Sequence, residues 1–215
     1  MSNPLQLKYF VRGAWCVVTL ALACGPKKSE QNATPQPTAP LPTAGIAGQR
    51  VALTPLALVA AADTLHWDAM IGDRRTTLDR CDSIIATFLT ARAPEVTWVG
   101  PGELRRIAHR APGIAADPDQ MGTPMLRFNN VVDVPDPLRY QLRTLMGLVG
   151  GRYVLVPSAL LFDKPATAAV RAELSVVMID SRIGRIGFRT IARGEGDDPW
   201  TALTRAVKNL TPGLP

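Results

Sequence analysis

Histidine and cysteine are scarce in this 215-residue chain: His66 and His109, and Cys16, Cys24 and Cys81. The two histidines are far apart and neither has a second His or Cys at ligand spacing. That rules out the usual zinc pattern, and both read as surface side chains. With Cys16 and Cys24 close to the N-terminus, Cys81 has no partner, so no disulfide framework is expected. Cys81 lies on an apolar helical stripe and reads as a small core residue. No serine sits in a G-x-S-x-G elbow, and no ordered Ser/His/Asp set is visible. Glu195, Asp197 and Asp198 lack the alternating spacing of a calcium loop and suit the start of a helix instead. Gly150-Gly151 follows a helix and precedes a strand, the reverse of a phosphate-binding glycine turn. No uncharged apolar run approaches the ~20 residues of a membrane-spanning helix. No catalytic residue, metal or cofactor is therefore expected.

What is present begins with an address. Lys8 and Arg12 form a sparse positive region, and Ala14 to Ala23 is uncharged and apolar. Such a run, about 7–15 residues long in general, is the core of a secretory signal. Thr19-Leu20-Ala21-Leu22-Ala23-Cys24-Gly25 places small residues ahead of a cysteine. It resembles the bacterial lipoprotein signal, which implies cleavage before Cys24 and lipid on its thiol. It departs from the favoured pattern in having Ala21 three places before the cysteine, where leucine is usual. Ala21-Leu22-Ala23 is also an A-x-A-like site, so plain secretion stands as the alternative. Gly25, where an acid would imply inner-membrane retention, points to the outer membrane, with the domain facing the periplasm. Two or more acyl chains anchor stably where one does not.

The expected division is residues 1–23 as signal, 24–48 as anchored cysteine and linker, and 49–215 as one domain. The linker carries Pro35, Pro37, Pro40 and Pro42 among Thr, Ala and Gln, a composition that buries no core and extends. The full chain carries 24 Lys and Arg against 18 Asp and Glu. That mild basic balance permits an anionic surface without demanding nucleic acid.

In the domain, Arg50 to Leu56 reads as a first strand ended by Pro55, and Ala60 to Asp73 as loop, with room for a helical turn. Leu78, Cys81, Ile85, Phe88 and Leu89 form one helical stripe. Val96–Val99 reads as a strand, and Glu103, Leu104, Ile107 and Ala108 as a helix broken by Pro112-Gly113. Ala115 to Pro137 is irregular and long enough to suggest function. Leu138, Leu142, Leu145 and Val149 mark another helix, ended by Gly150. Tyr153–Pro157 is a buried strand. Alternation over 171–178 and 185–193, on either side of a polar turn, predicts a hairpin. A last helix has Asp198 as N-cap and Trp200, Leu203, Val207 and Leu210 inward. The order β-α-β-α-(loop)-α-β-β-β-α implies an α/β (α+β) domain, a single mixed sheet of about five strands covered by helices.

The strand textures "VALTPL" and "GRYVLVP", and the hairpin "LSVVMIDSRIGRI" before a closing helix, resemble the CsgG/TolB-amino-terminal-domain type of module found in bacterial envelope lipoproteins. These include penicillin-binding-protein activators. The resemblance, over roughly Arg50 to Leu210, implies a non-enzymatic domain that binds an envelope protein or assembles into rings. No paired membrane hairpin is visible, which speaks against a pore.

From the residues, one surface rises modestly above a solvated sheet face. Arg185, Arg189 and Arg193 are spaced to share one face of the last strand, with Arg171 on the same face of its neighbour. Arginine suits fork-like pairing with carboxylate or phosphate, so these four are the candidate partner-binding residues, for an acidic partner. The competing expectation is a hydrolase or small-ligand binder built on His66 and the Ala115–Pro137 loop.

Overall fold

The computed structural model describes residues 41–164 and 169–211. Cys24 and the signal lie outside the described residues, as does the linker up to residue 40. One mixed six-stranded sheet runs through the domain. Strand β1 (Arg50–Leu53) pairs in parallel with β3 (Thr97–Val99) on one side and β4 (Tyr153–Asp163) on the other. Short β2 (Val59–Ala61) adds in parallel to the far half of β4. Antiparallel β5 (Arg171–Asp180) and β6 (Arg185–Glu195) complete the order β3-β1-β4-β5-β6.

The helices lie on both faces. On one, α2 (Arg74–Arg92) contributes Cys81, Ile85 and Leu89, and α5 (Pro199–Leu210) contributes Leu203, Val207 and Leu210. They cover Val51, Leu53, Leu155, Leu174, Val176 and Met178. On the other, α3 (Pro101–Arg110) and α4 (Leu138–Val149) cover Ala52, Val154, Val156, Val177 and Ile179. The alternation along each strand thus supplies two cores, because successive side chains leave opposite faces. The stop signals act as anticipated. Asp198 accepts from the backbone N–H groups of Trp200 and Thr201, and Gly150 takes a left-handed φ of 76° at the end of α4.

Several expectations shift. The first strand ends at Leu53 rather than Leu56. The loop at Ala60–Asp73 holds a helical turn as anticipated, α1 (Asp68–Ile71), but also the end of β2. β4 runs on to Asp163, well past Pro157. Proline cannot donate to a ladder, and the register shifts between Pro157 and Ala159, a bulge that lets the strand continue. The packed unit also begins before residue 49. Leu41 and Ile46, assigned to the linker, are buried in the core, with a 3-10 turn over Thr43–Ile46. Leu41 N–H donates to Leu210 O at 2.8 Å, tying this segment to the end of α5.

Parallel and antiparallel registers place five residues in one row across an end of the sheet. Trp98 is paired with Val51, Val51 with Tyr153, Tyr153 with Asp180, and Asp180 with Arg185, and Arg50, paired with Thr97, lies one residue further out. The described chain enters at this same end, beside the last turns of α5 and α2, where Arg92 bonds Thr211.

Candidate functional site

The four candidate arginines do not form one open row. Met178 faces Phe188 and Ile179 faces Ile186, so Gly187 is an extra residue in β6. Phe188 packs on the α2/α5 side and Ile186 on the α3/α4 side. A bulge moves every residue beyond it to the other face. Arg185 therefore falls out of phase with Arg189 and Arg193. Arg171 and Arg193 share a face but are engaged there. Arg193 Nε donates to Glu173 at 2.8 Å, and Arg171 Nη2 donates to Asp163 at 2.9 Å.

Arg189 does something that period-2 spacing cannot show. Nη1 donates to Leu126 O at 2.6 Å and also to Phe128 O, and Nη2 donates to Val131 O at 2.6 Å. The guanidinium thus holds three carbonyls of the long segment between α3 and α4. Burial lowers its pKa from the ordinary arginine value. This segment is built of two 3-10 turns, Pro118–Gln120 and Thr123–Arg127, followed by a stretch lying along the edge of β6. Ile186 N–H donates to Val132 O at 3.1 Å, Val134 N–H donates to Gly184 O at 2.8 Å, and Asp133 bridges Arg185. Met121, Leu126 and Val134 point into the core, while Phe128 stays 51% and Val132 58% exposed. Arg127 stacks over the Phe128 ring at 4.7 Å. An ordered loop thus presents an aromatic and a β-branched side chain to solvent, flanked by Arg127 and by Arg185, which faces Asp133 at 3.6 Å.

A second cluster stands at the sheet end described above. Arg50, Arg143, Arg152 and Arg182, with Ser181 and the glycines Gly147, Gly150 and Gly151, line an open cleft of about 650 Å³. It adjoins another of about 660 Å³ bounded by Arg139, Tyr140 and Ile183 and sharing Arg143 and Arg182. Arg152 Nε is held by Asp180 at 2.8 Å, which keeps that carboxyl below its ordinary range. Nothing in sequence spacing signals this cluster, since its members come from β1, α4, the start of β4 and the β5–β6 turn.

A buried ionic network braces the opposite side. Asp82 accepts from Leu56 N–H and from Arg105 Nη2, both at 2.8 Å, and Arg105 also grips Asp119 at 2.7 Å. Burial pushes the Asp82 carboxyl up to about 6, against the pull of Leu56 N–H and Arg105. Arg105 and Arg75 hold Asp119 below its ordinary value. The network ties α2, α3 and the first 3-10 turn of the long segment together. Cys81, beside it, is fully buried and its thiol is pushed up to about 12, which leaves it inert.

His66 ends a 3-10 turn with φ 50°, and His109 lies in the last turn of α3. Both are exposed, and neither bonds a carboxylate among the described residues. Among those residues no group of three His, Cys, Asp or Glu is placed to hold a metal ion.

No protein-family model and no curated protein matches the chain. Among solved structures it is similar to the LpoB C-terminal domain from Salmonella enterica at 12% identity and TM-score 0.40, over 70% of this chain and 84% of that one. It is similar to E. coli LpoB, solved by NMR, at 15% identity and TM-score 0.34, over 88% and 87%. It is also similar to the PelC dodecamer from Paraburkholderia phytofirmans at 13% identity and TM-score 0.35, over 83% and 94%.

Proposed function

We propose that this protein is a non-catalytic lipoprotein of the bacterial envelope, anchored through Cys24, whose domain docks on a partner envelope protein in the periplasm. The observation that carries the docking reading is the Arg189 clamp. It orders the segment 126–131 so that Phe128 is held outward beside Val132. Exposed apolar side chains are ordinary when scattered, but an outward aromatic on an ordered loop, with Val132 and with Arg127 and Arg185 beside it, has the aromatic and arginine content enriched at protein interfaces. Arg127 and Arg185 at its margin favour a partner with an apolar slot and a carboxylate rim. The lipid reading rests on the small residues ahead of Cys24 and the extended composition that follows it.

The test is capture of envelope proteins by the chain and by a Phe128→Ser/Val132→Ser variant, with crosslinking and identification of what is lost. The expected result is one prominent partner bound at least about tenfold more weakly by the variant at unchanged melting temperature, since single hot-spot truncations generally exceed 1 kcal/mol. Equal capture by both would place docking elsewhere.

A further inference from the structure

Arg50, Arg110, Arg143, Lys164 and Arg182 are the cationic side chains with no hydrogen bond, ion pair or ring contact in the described structure. Three of them, Arg50, Arg143 and Arg182, line the cleft at the row-end of the sheet. The other charges there cancel. Arg152 is matched by Asp180, and Arg139 by Asp136 at 2.9 Å. The C-terminal carbonyls of α4 would oppose an anion through the helix dipole. Met146 O is occupied, however, by the N–H groups of Gly150 and Gly151. What remains is three free guanidiniums brought together from β1, α4 and the β5–β6 turn.

Two further features sit beside them. The neighbouring rim carries Tyr140 and Ile183, 68% and 59% exposed. An aromatic with a polar tip and an aliphatic side chain beside arginines suit the boundary between lipid headgroups and acyl chains. The described chain also leads into this end. Leu41 is fastened to the last residue of α5, and the segment from Leu41 to Gln49 leads directly into Arg50 in the cleft. Only residues 25–40 separate Cys24 from Leu41. A tether attached at one end of a domain keeps that end nearest the bilayer more often than any other.

We propose that the Arg50–Arg143–Arg182 cleft is a membrane-facing surface that takes the phosphates of anionic lipid headgroups. It thereby orients the tethered domain on the bilayer. The chemistry is that of guanidinium–phosphate recognition, in which planar donors grip oxygens bidentately and are more weakly hydrated than the lysine ammonium. The orienting role rests on the lipid anchor proposed above, but the binding itself does not.

The test therefore uses the chain from residue 25 onward, without lipid, which contains all of the described residues 41–164 and 169–211. Sedimentation is measured with vesicles containing phosphatidylglycerol and with vesicles of phosphatidylcholine alone. Binding to the first and not the second is expected, together with weakening as salt rises through the range where the Debye length falls from ~10 to ~3 Å. Arg50→Gln/Arg143→Gln/Arg182→Gln should lose about 100-fold in affinity, near the value expected for three basic side chains at an anionic surface. Its melting should be unchanged, since these side chains are exposed and make no hydrogen bond, ion pair or ring contact. Tyr140→Ser/Ile183→Ser should weaken binding at high salt more than at low. Equal vesicle binding by the arginine variant would overturn the proposal. So would binding of inorganic phosphate with no binding to anionic vesicles, which would make the cleft a site for a soluble phosphate. Loss of protein capture by that variant with vesicle binding intact would make it a protein-docking site. Failure of Cys24 to take lipid would instead remove the anchor and leave these vesicle results untouched.

Discussion

Arg189 Nη2 donates to the carbonyl oxygen of Val131 at 2.6 Å, joining the middle of an edge strand to a segment 58 residues earlier in the chain. The same guanidinium reaches Leu126 O and Phe128 O, the latter also accepting from Val131 N–H, so one side chain gathers three carbonyls of an irregular segment. A buried carbonyl without a donor costs about 1–3 kcal/mol. Arg189→Met should therefore destabilise the fold by roughly 2 kcal/mol or more. It should also make 115–137 the first site of limited proteolysis. A variant with wild-type melting and an unchanged cleavage pattern would show that the loop holds itself.

Anchoring is checked by labelled fatty acid. Wild-type protein should incorporate label and fractionate with membranes, and Cys24→Ser should do neither. Release of wild type as a soluble protein with a free thiol at Cys24, or cleaved without it, would establish plain secretion.

The α2/α5 core should be sensitive to single methylenes. Leu174 is fully buried between the sheet and these helices, so Leu174→Ala should cost roughly 2–5 kcal/mol in denaturant unfolding. Phe188, only partly buried, should cost less when truncated. Equal losses would mean the two residues are equally enclosed.

Gly194 lies where β6 meets α5, and a Cβ there would press on Ala206 N and Ala202 O. Both are backbone atoms and cannot rotate away. Gly194→Ala should destabilise by about 1–3 kcal/mol although it adds one methyl group, and Gly187→Ala, with open space around it, should cost little on packing grounds. Thermal melts of the two variants side by side decide this.

Asp82 supplies a pH test. Its folded pKa, about 6, stands above the unfolded 3.8, so the folded state holds the proton more tightly. The stability contributed by that proton is complete below about 3.8 and is lost as pH rises through 6. Asp82→Asn, which mimics the protonated form, should gain on wild type by roughly 1–3 kcal/mol between pH 4 and pH 7. Asp119, whose pKa is lowered, acts in the opposite sense at more acidic pH and is common to both proteins. A pH-independent difference between them would mean that Arg105 keeps Asp82 ionised throughout.

Much of the domain was legible from local pattern. The stripe through Cys81, Ile85 and Leu89, the hairpin around Asp180–Arg185, the Asp198 cap and the Gly150 stop all reflect forces acting within a few residues. Side-chain period, capping and glycine's freedom at positive φ are written directly in the chain. Short β2 was missed because three residues of Ala and Val make no pattern of their own and pair only where β4 runs past its proline. The arginine row misled for a related reason. Equal spacing implies a common face only while the ladder is regular, and Gly187 breaks it. The roles of the arginines belong to tertiary structure alone. Arg189 became a clamp because the 126–131 carbonyls happen to fold over it. Arg50, Arg143 and Arg182 became neighbours because parallel and antiparallel strands bring a strand start, a helix face and a hairpin turn to the same end of one sheet. Charge carries no periodicity that announces its partner. Which guanidinium is used up inside the fold and which is left for a ligand is settled only when distant segments pack.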